Sequence, residues 1–311
     1  MTSTILAELS HFGLLEFSGD DAREFLQGQL SCDVKALPPW HAQYGSYNTP
    51  QGRMLASFLL WRGKDDACYM QLPHGLCEPV RKRIAMFILR SRVKVIDVSK
   101  DWMLLGIAGA GAKAAIEEKI GAVPASVMEI SNAANGAILK LGPERFQIIV
   151  PASDAARVRA SFGNRVEPAG YEAWDLLDIR AGIPFILPET QQQFVPQMAN
   201  LDLIGGVSFS KGCYPGQEIV ARMHYLGKLK QRMYLARIDA TESPLAGDRI
   251  FGSGLGGQAV GMIVNAAPAP EGGYDALAVM QIESAAAGDA HWKAADGPRL
   301  QIRPLPYDVS A

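Results

Sequence analysis

The octapeptide "KGCYPGQE" at residues 211–218 carries the sequence's most chemically pointed group of side chains, centred on Cys213, one of four cysteines in 311 residues. A cysteine acts as nucleophile or soft ligand through its thiolate, which a neighbouring cation or a helix N-terminus favours. Lys211 lies two residues before Cys213, and Gly216 leads into "QEIVARM", an amphipathic run that predicts a helix. Gly212 and Gly216 would let the backbone bend so that the sulfur is presented to an interior channel rather than buried behind a side chain, Tyr214 would pack against one wall, and Glu218 would sit where a helix start favours a carboxylate. The same residues also describe a cysteine packed beside a tight turn, with the glycines serving backbone geometry alone. His224, eleven positions after Cys213, raises a Cys–His nucleophile pair, although such pairs are made by tertiary contact rather than by local spacing.

Other candidate chemistry is weaker. Cys32, Cys68 and Cys77 form no C-x-x-C pair and read as reduced, buried small hydrophobes, and no histidines share the i, i+4 spacing of a helical metal site. Gly252 to Gly257 satisfies G-x-G-x-x-G, but strand-like "QAVGMIV" follows where a dinucleotide site needs a helix, so a glycine-rich hairpin is expected. Arg81, Lys82, Arg83, Arg90, Arg92 and Lys94 cluster around one predicted helix end, as a solvated face or as a patch for an anionic ligand tail or RNA. The net charge of −2 and pI near 6.2 give no overall positive field, so direct nucleic-acid binding is not expected. No apolar run nears the roughly 18 residues of a membrane span, and the N-terminal stretch shows no basic n-region or cleavage site. A cytoplasmic protein without a membrane partner is expected.

The elements that must position these residues follow from hydrophobic period. Residues 1–98 alternate strand and helix patterns: strands "GLLEFSG", "GRMLASFLLWR", "ACYMQLP" and "RVKVIDVS", a helix over "DDAREFLQGQL" capped by Asp20, and a helix over "GLCEPVRKRIAMFILR" with Val80, Ile84, Phe87 and Ile88 on one face. Residues 99–170 repeat the mixture in the order strand, helix, strand, strand, helix, most of a ferredoxin-like unit. Residues 171–227 are a long connector carrying the 211–218 motif, and residues 228–311 turn to short strands with glycine turns, the pattern of a small β-barrel or sandwich. The fold class is therefore α+β.

"FLQGQLSCDV", "GIP" and "NLDLIGGVSFSKGCYPGQEIVAR" resemble the folate-binding YgfZ-type proteins, bacterial relatives of a mitochondrial iron–sulfur assembly factor, within the superfamily of the glycine-cleavage T-protein, an aminomethyltransferase. The resemblance runs over nearly the whole chain. It implies a three-domain ring of two ferredoxin-like α+β units and a C-terminal β-barrel, around a site for tetrahydrofolate or a one-carbon derivative. It further implies a role in assembling or repairing iron–sulfur proteins, with client or assembly proteins as partners. Lys211, Gly212, Cys213, Tyr214, Gly216, Gln217 and Glu218 match the family's motif directly, while Gln27, Gln29, Asp33 and Asn200 match its flanking signatures; the resemblance implies folate contacts from Gln27, Arg180, Asn200, Tyr214, Gln217 and Glu218, and Arg53 is a candidate for the folate's glutamate carboxylates.

Two departures from the T-protein pattern matter. Its "G-G-x-L-D-D" stretch aligns with "GRMLAS", so Ala56 stands where a carboxylate would assist the folate nitrogen, and a methyl group cannot orient a proton. Its "L-E-A-G" stretch aligns with "IRAG", placing Arg180 where a glutamate would contact the pterin. The resemblance thus implies a folate-binding accessory protein with Cys213 and Lys211 as the reactive pair. The alternative is a folate-dependent aminomethyltransferase-type enzyme.

Overall fold

The computed structural model describes residues 3–63, 66–133, 136–252 and 258–309. The first part of the chain supplies β1 (Ile5–Glu8), β2 (Phe12–Ser18), α1 (Ala22–Gln27), β3 (Ala42–Asn48), β4 (Met54–Arg62), β5 (Cys68–Pro73), α2 (His74–Ala85) and β6 (Lys94–Asp97). There follow β7 (Trp102–Ala108), α3 (Ala112–Lys119), β8 (Ile130–Ala133), β9 (Gly136–Gly142), β10 (Arg145–Pro151), α4 (Ala155–Ser161), β11 (Glu167–Ala169) and α5 (Tyr171–Arg180). The remainder forms α6 (Gln217–Tyr225), β12 (Gln231–Ile238), β13 (Arg249–Phe251), β14 (Ala259–Pro268), β15 (Tyr274–Gln281), α7 (Ile282–Ala287), β16 (His291–Trp292) and β17 (Leu300–Arg303).

These strands make three sheets, ordered β3-β4-β5-β2-β6, β11-β1-β7-β10-β9-β8 and β16-β13-β14-β15-β12-β17. The chain falls into two compact units: Met1–Leu26, Val34–Gln43 and Phe58–Trp174 in one, and Gln27–Asp33, Tyr44–Ser57 and Asp175–Ala311 in the other. Strands β3 and β4 each run from one unit into the next along the chain.

In the first unit, strand alternation sorts the two faces of the second sheet. Leu105 and Ile107 of β7, with Phe146, Ile148 and Val150 of β10, point to one side and pack with Ile116 of α3 and Val158 of α4. The expected order strand, helix, strand, strand, helix is present as β7, α3, β9, β10 and α4, with β8 hairpinned onto β9. The short strand β1 joins this sheet, antiparallel to β7 and parallel to β11.

The helix expected over residues 75–90 ends at Ala85, and Phe87, expected on its buried face, is exposed. A series of tight turns, with Phe87 N–H to Ile84, Ile88 N–H to Ala85 and Leu89 N–H to Phe87, replaces the last helical turn before the chain enters β6. Part of the basic cluster around this end is ion-paired, Arg81 with Glu78 at 2.8 Å and Arg92 with Asp20 at 2.9 Å.

In the second unit, β12, β14 and β15 carry a core of Ile238, Val260, Ile263, Ala276, Ala278 and Met280. An isolated bridge between His291 and Arg299 draws the β16 edge toward the chain entering β17, so this sheet curls on itself as the small-barrel pattern anticipates. Of the glycine-rich segment Gly252–Gly257, residues 253–257 lie outside the described residues.

One glycine in the first unit is set by close approach. A Cβ on Gly106 in β7 would lie 2.3 Å from the ring of Trp174, which is 1% exposed and carries the Arg145 guanidinium 4.6 Å from a ring centroid on it. Neither the central strand nor the large buried indole has room to give. Gly106→Ala should therefore destabilise the protein by about 1–3 kcal/mol, the usual cost of overpacking a well-filled core, read from the midpoint of chemical denaturation.

Candidate functional site

The 211–218 motif is organised by its lysine. Lys211 is 8% exposed, and its ammonium donates to the backbone carbonyls of Gln27 at 2.6 Å, Leu30 at 2.6 Å and Cys32 at 2.9 Å. An ammonium has three N–H donors, and each meets one acceptor. The ring of Tyr214 lies alongside, its centroid 5.1 Å from Nζ, adding a cation–π contact to the same charge. Burial pushes the Lys211 ammonium down to about 8, with the Cys32 and Asp33 side chains opposing that shift, so the group still carries its charge at neutral pH. The lysine thus fastens the motif to the segment 27–33, which sequence reading singled out separately.

That segment has its own supports. Gln27 Nε2 donates to Asp33 Oδ1 at 3.0 Å across the loop. Ser31, fully buried, donates from Oγ to the Gly206 carbonyl at 2.6 Å and accepts the Ser46 N–H at 2.8 Å, while its carbonyl accepts from Ser208 N–H at 2.9 Å. The loop 27–33, the edge of β3 and the chain approaching the motif are therefore joined by one serine.

Gly216 fixes the other end of the motif. Its φ of 82° is left-handed, and a Cβ there would meet the Thr49 carbonyl oxygen at 2.5 Å and Gly52 Cα at 2.6 Å, so both conformation and space demand glycine. It caps α6, and the Gln217 N–H closes a turn onto the Tyr214 carbonyl at 3.1 Å. Gly212 differs: nothing lies within 4 Å of its Cβ position, so space there does not require glycine. Between these anchors, Tyr214 is buried and Cys213 is exposed, whereas Cys32, Cys68 and Cys77 are buried. Glu218 is exposed and pairs with Arg222 at 3.0 Å, and Gln217 Nε2 lies 3.4 Å from the Lys211 carbonyl.

The remaining residues expected at a ligand site divide. Asn200, fully buried with a left-handed φ of 57°, donates to the Met233 carbonyl at 2.8 Å and accepts from the Met233 N–H at 3.4 Å, so its amide clamps β12. Arg180 donates to Asp275 at 2.7 Å and Glu271 at 2.9 Å, in a network that also holds Arg237 and Arg303. The Arg53 guanidinium is exposed and donates to the Gln193 carbonyl. Ala56 is fully buried in β4, and its neighbour Ser57 donates to the Pro184 carbonyl at 2.9 Å and accepts the Ile186 N–H at 2.8 Å. A bulge in β14 turns Asn265 onto the same segment, where its amide makes paired bonds with the Phe185 N–H at 3.0 Å and carbonyl at 2.9 Å.

Two residues that sequence reading did not select or placed only as a flank stand out by what they lack. Asn48 is 2% exposed with neither amide atom hydrogen-bonded, and the Gln29 carbonyl oxygen is likewise buried without a partner. A buried amide left open costs free energy, so these atoms mark a place for water or a ligand. His224 stacks on Phe209 with centroids 3.8 Å apart, and among the described residues no hydrogen bond joins it to Cys213, which removes the Cys–His hydrolase reading. Among the described residues no cluster of histidine, cysteine and carboxylates could hold a metal ion, and no helix is long and apolar enough to cross a membrane.

Comparison with known proteins agrees with this architecture. The GCVT N-terminal domain family matches residues 1–209. The tRNA-modifying protein YgfZ of Colwellia psychrerythraea is 31% identical over 257 residues, covering 82% of this chain and 78% of the relative. Its counterpart in Yersinia enterocolitica is 30% identical over 314 residues, covering 98% and 93%. The crystal structure of glycine cleavage system aminomethyltransferase T from Bartonella henselae superposes with a TM-score of 0.80 over 98% of this chain and 86% of its own, at 19% identity, which is a likeness of fold. With the lysine-anchored motif in place and relatives matched along nearly the full length, the chain belongs to the YgfZ family, built on the T-protein fold.

Proposed function

We propose that this protein is a tetrahydrofolate-binding accessory factor that uses Cys213 toward iron–sulfur client or assembly proteins. The observation that carries the reading is the contrast within the motif: Lys211, Tyr214 and Gly216 are buried or fixed by close contacts, while Cys213 between them is the one cysteine of the four that is exposed. A structural cysteine needs no such mounting. An exposed thiol on a rigid base is a ligand or acceptor for soft partners such as iron and sulfur.

A reduced folate fits the residues present in one respect. The unpartnered amide of Asn48 and carbonyl oxygen of Gln29 offer buried donors and acceptors of the kind a pterin edge uses, and both belong to the unit that carries the motif. When bound, the folate would supply a one-carbon unit or the nitrogen that accepts one. The fold's association with folate in the aminomethyltransferases supports this coarser assignment.

Relatives bear the name tRNA-modifying protein, and a net charge of −2 argues that any service to tRNA modification runs through a protein client rather than through binding of the polyanion itself. Aminomethyl transfer is disfavoured at Ala56, whose side chain holds no proton, and Ser57 beside it spends its hydroxyl on the 184–186 backbone.

Three outcomes follow. In native protein at pH 8, iodoacetamide should modify Cys213 within minutes while Cys32, Cys68 and Cys77 stay protected, since burial pushes the Cys68 thiol up to about 11 and that of Cys77 to about 12; peptide mass spectrometry that finds a buried cysteine labelled as fast would contradict it. Cys213→Ala should change stability by no more than about 0.5 kcal/mol and still bind 5-formyltetrahydrofolate in a calorimetric titration, yet fail to restore iron–sulfur enzyme activity in cells lacking the protein. Absence of folate binding in the wild type would refute the folate half of the reading, and full rescue by Cys213→Ala the thiol half. Supplied with an aminomethyl-lipoyl carrier and tetrahydrofolate, the protein should form methylenetetrahydrofolate about 10²- to 10⁴-fold more slowly than an aminomethyltransferase with its carboxylate in place.

A further inference from the structure

Within the first unit, away from the motif in sequence, lies a pocket of about 240 Å³ lined by Trp40, Trp61, Tyr69 and Trp102 together with Ile149 and Asn132. Three of the five tryptophans in the chain meet there. Trp61 is buried, while Trp40, Tyr69 and Trp102 are half-buried. Trp61 and Tyr69 stack with centroids 5.9 Å apart and planes at 19°, and a Cβ on Gly63 would lie 2.7 Å from the Tyr69 ring, so glycine at 63 is what lets that ring lie flat along the wall.

Trp40 has a φ of 59°, a left-handed conformation that a bulky residue adopts only under constraint. Its N–H is held by the Arg62 carbonyl at 3.2 Å and its carbonyl by the Ile130 N–H at 2.7 Å. The strain is thus imposed from both sides, and strained backbone of this kind gathers where a side chain must be aimed.

Indole N–H groups ordinarily find an acceptor when the ring is buried, as Trp292 does with Asp248 at 2.8 Å. Among the described residues, none of the indoles of Trp40, Trp61 and Trp102 donates to a protein acceptor. The pocket therefore combines π-faces, indole donors without a protein acceptor and the Asn132 amide in its lining. Among the described residues its lining has no lysine, arginine, aspartate or glutamate, and those walls suit an uncharged ring. An apolar cavity of about 150 Å³ takes one benzene ring, so this volume suits a fused bicyclic ring and is below the 300–1,000 Å³ usual for larger ligands.

We propose that this pocket binds an uncharged, fused bicyclic heteroaromatic ring of the purine class, stacked on the indole faces with its ring acceptors toward the indole N–H groups. The residues that line it belong to the first unit, and those named for the proposed folate site belong to the second.

The test is a titration of the full-length protein, labelled with ¹⁵N at its tryptophan indoles, with hypoxanthine. The five indole N–H signals are assigned by single Trp→Phe variants, and unlabelled indole serves as a ring of the same size without an acceptor edge. Saturable shifts at Trp40, Trp61 and Trp102, with Trp174 and Trp292 unmoved, and at least about tenfold weaker binding of indole, support the site. Ala137→Leu, which adds bulk to the lining from β9 without replacing a tryptophan, should lower hypoxanthine affinity at least about tenfold while the dispersed spectrum of a folded protein is kept. No shift at millimolar hypoxanthine, equal binding of indole, or unchanged affinity in Ala137→Leu overturns the proposal. Displacement of hypoxanthine by 5-formyltetrahydrofolate would also overturn it, by making the pocket part of a folate site, and leaves the folate reading itself standing.

Discussion

A single buried ammonium holds the candidate site together. Lys211 meets three carbonyls drawn from the segment 27–32, each a charge-assisted hydrogen bond of about 1.5–3 kcal/mol, against a desolvation cost of several kcal/mol for the charge. The net stabilisation is modest, but the dependence is not symmetric. Removing the lysine would leave three carbonyls, two of them in buried bonds, without this donor at once, so the loop 27–33 and the approach to α6 can persist in this form only together. Arginine would not substitute well, because a planar fork cannot reach three acceptors arranged around a point charge.

The other contacts extend from that constraint. Gly216 sets the motif against the turn at Thr49–Gly52, Ser31 ties the loop to β3 and to Gly206, and Ser57 with Asn265 pins residues 184–186. Each connects stretches far apart in sequence through backbone groups, so geometry is fixed by polar bonds in addition to apolar packing. The exposed thiol of Cys213 stands on a mount with little freedom, which is the condition a reactive group needs to meet a partner in one orientation. Arg180, by contrast, is tied to Asp275 and Glu271, and so stabilises the curl of the C-terminal sheet from the connector.

What could be read from the sequence depended on whether the signal was local. Strands β9 and β10 occupy the residues their alternation predicts, because each buries one face against helices. Strand β3, "AQYGSYN", went unnoticed: its Ser46 and Asn48 are buried polar residues, a composition that imitates a loop. The end of α2 was overextended because Phe87 keeps the helical period while the backbone has already turned. At the site, the residue types of the motif were legible and the direction of its lysine was not, since its acceptors are backbone carbonyls with no sequence signature. Asn48 and Asn265 were invisible for the same reason; their importance lies in unpartnered atoms and in a bulge, which only the fold creates.

The dependence of the site on Lys211 is tested most directly by hydrogen exchange of the Lys211→Met protein, read by mass spectrometry at peptide resolution. The account predicts that amides in 28–33 and in 212–220 lose protection together, about tenfold or more, while β7 and β10 exchange as in the wild type. If protection in both segments were unchanged, or if only one of them loosened, the buried ammonium would not be what joins them.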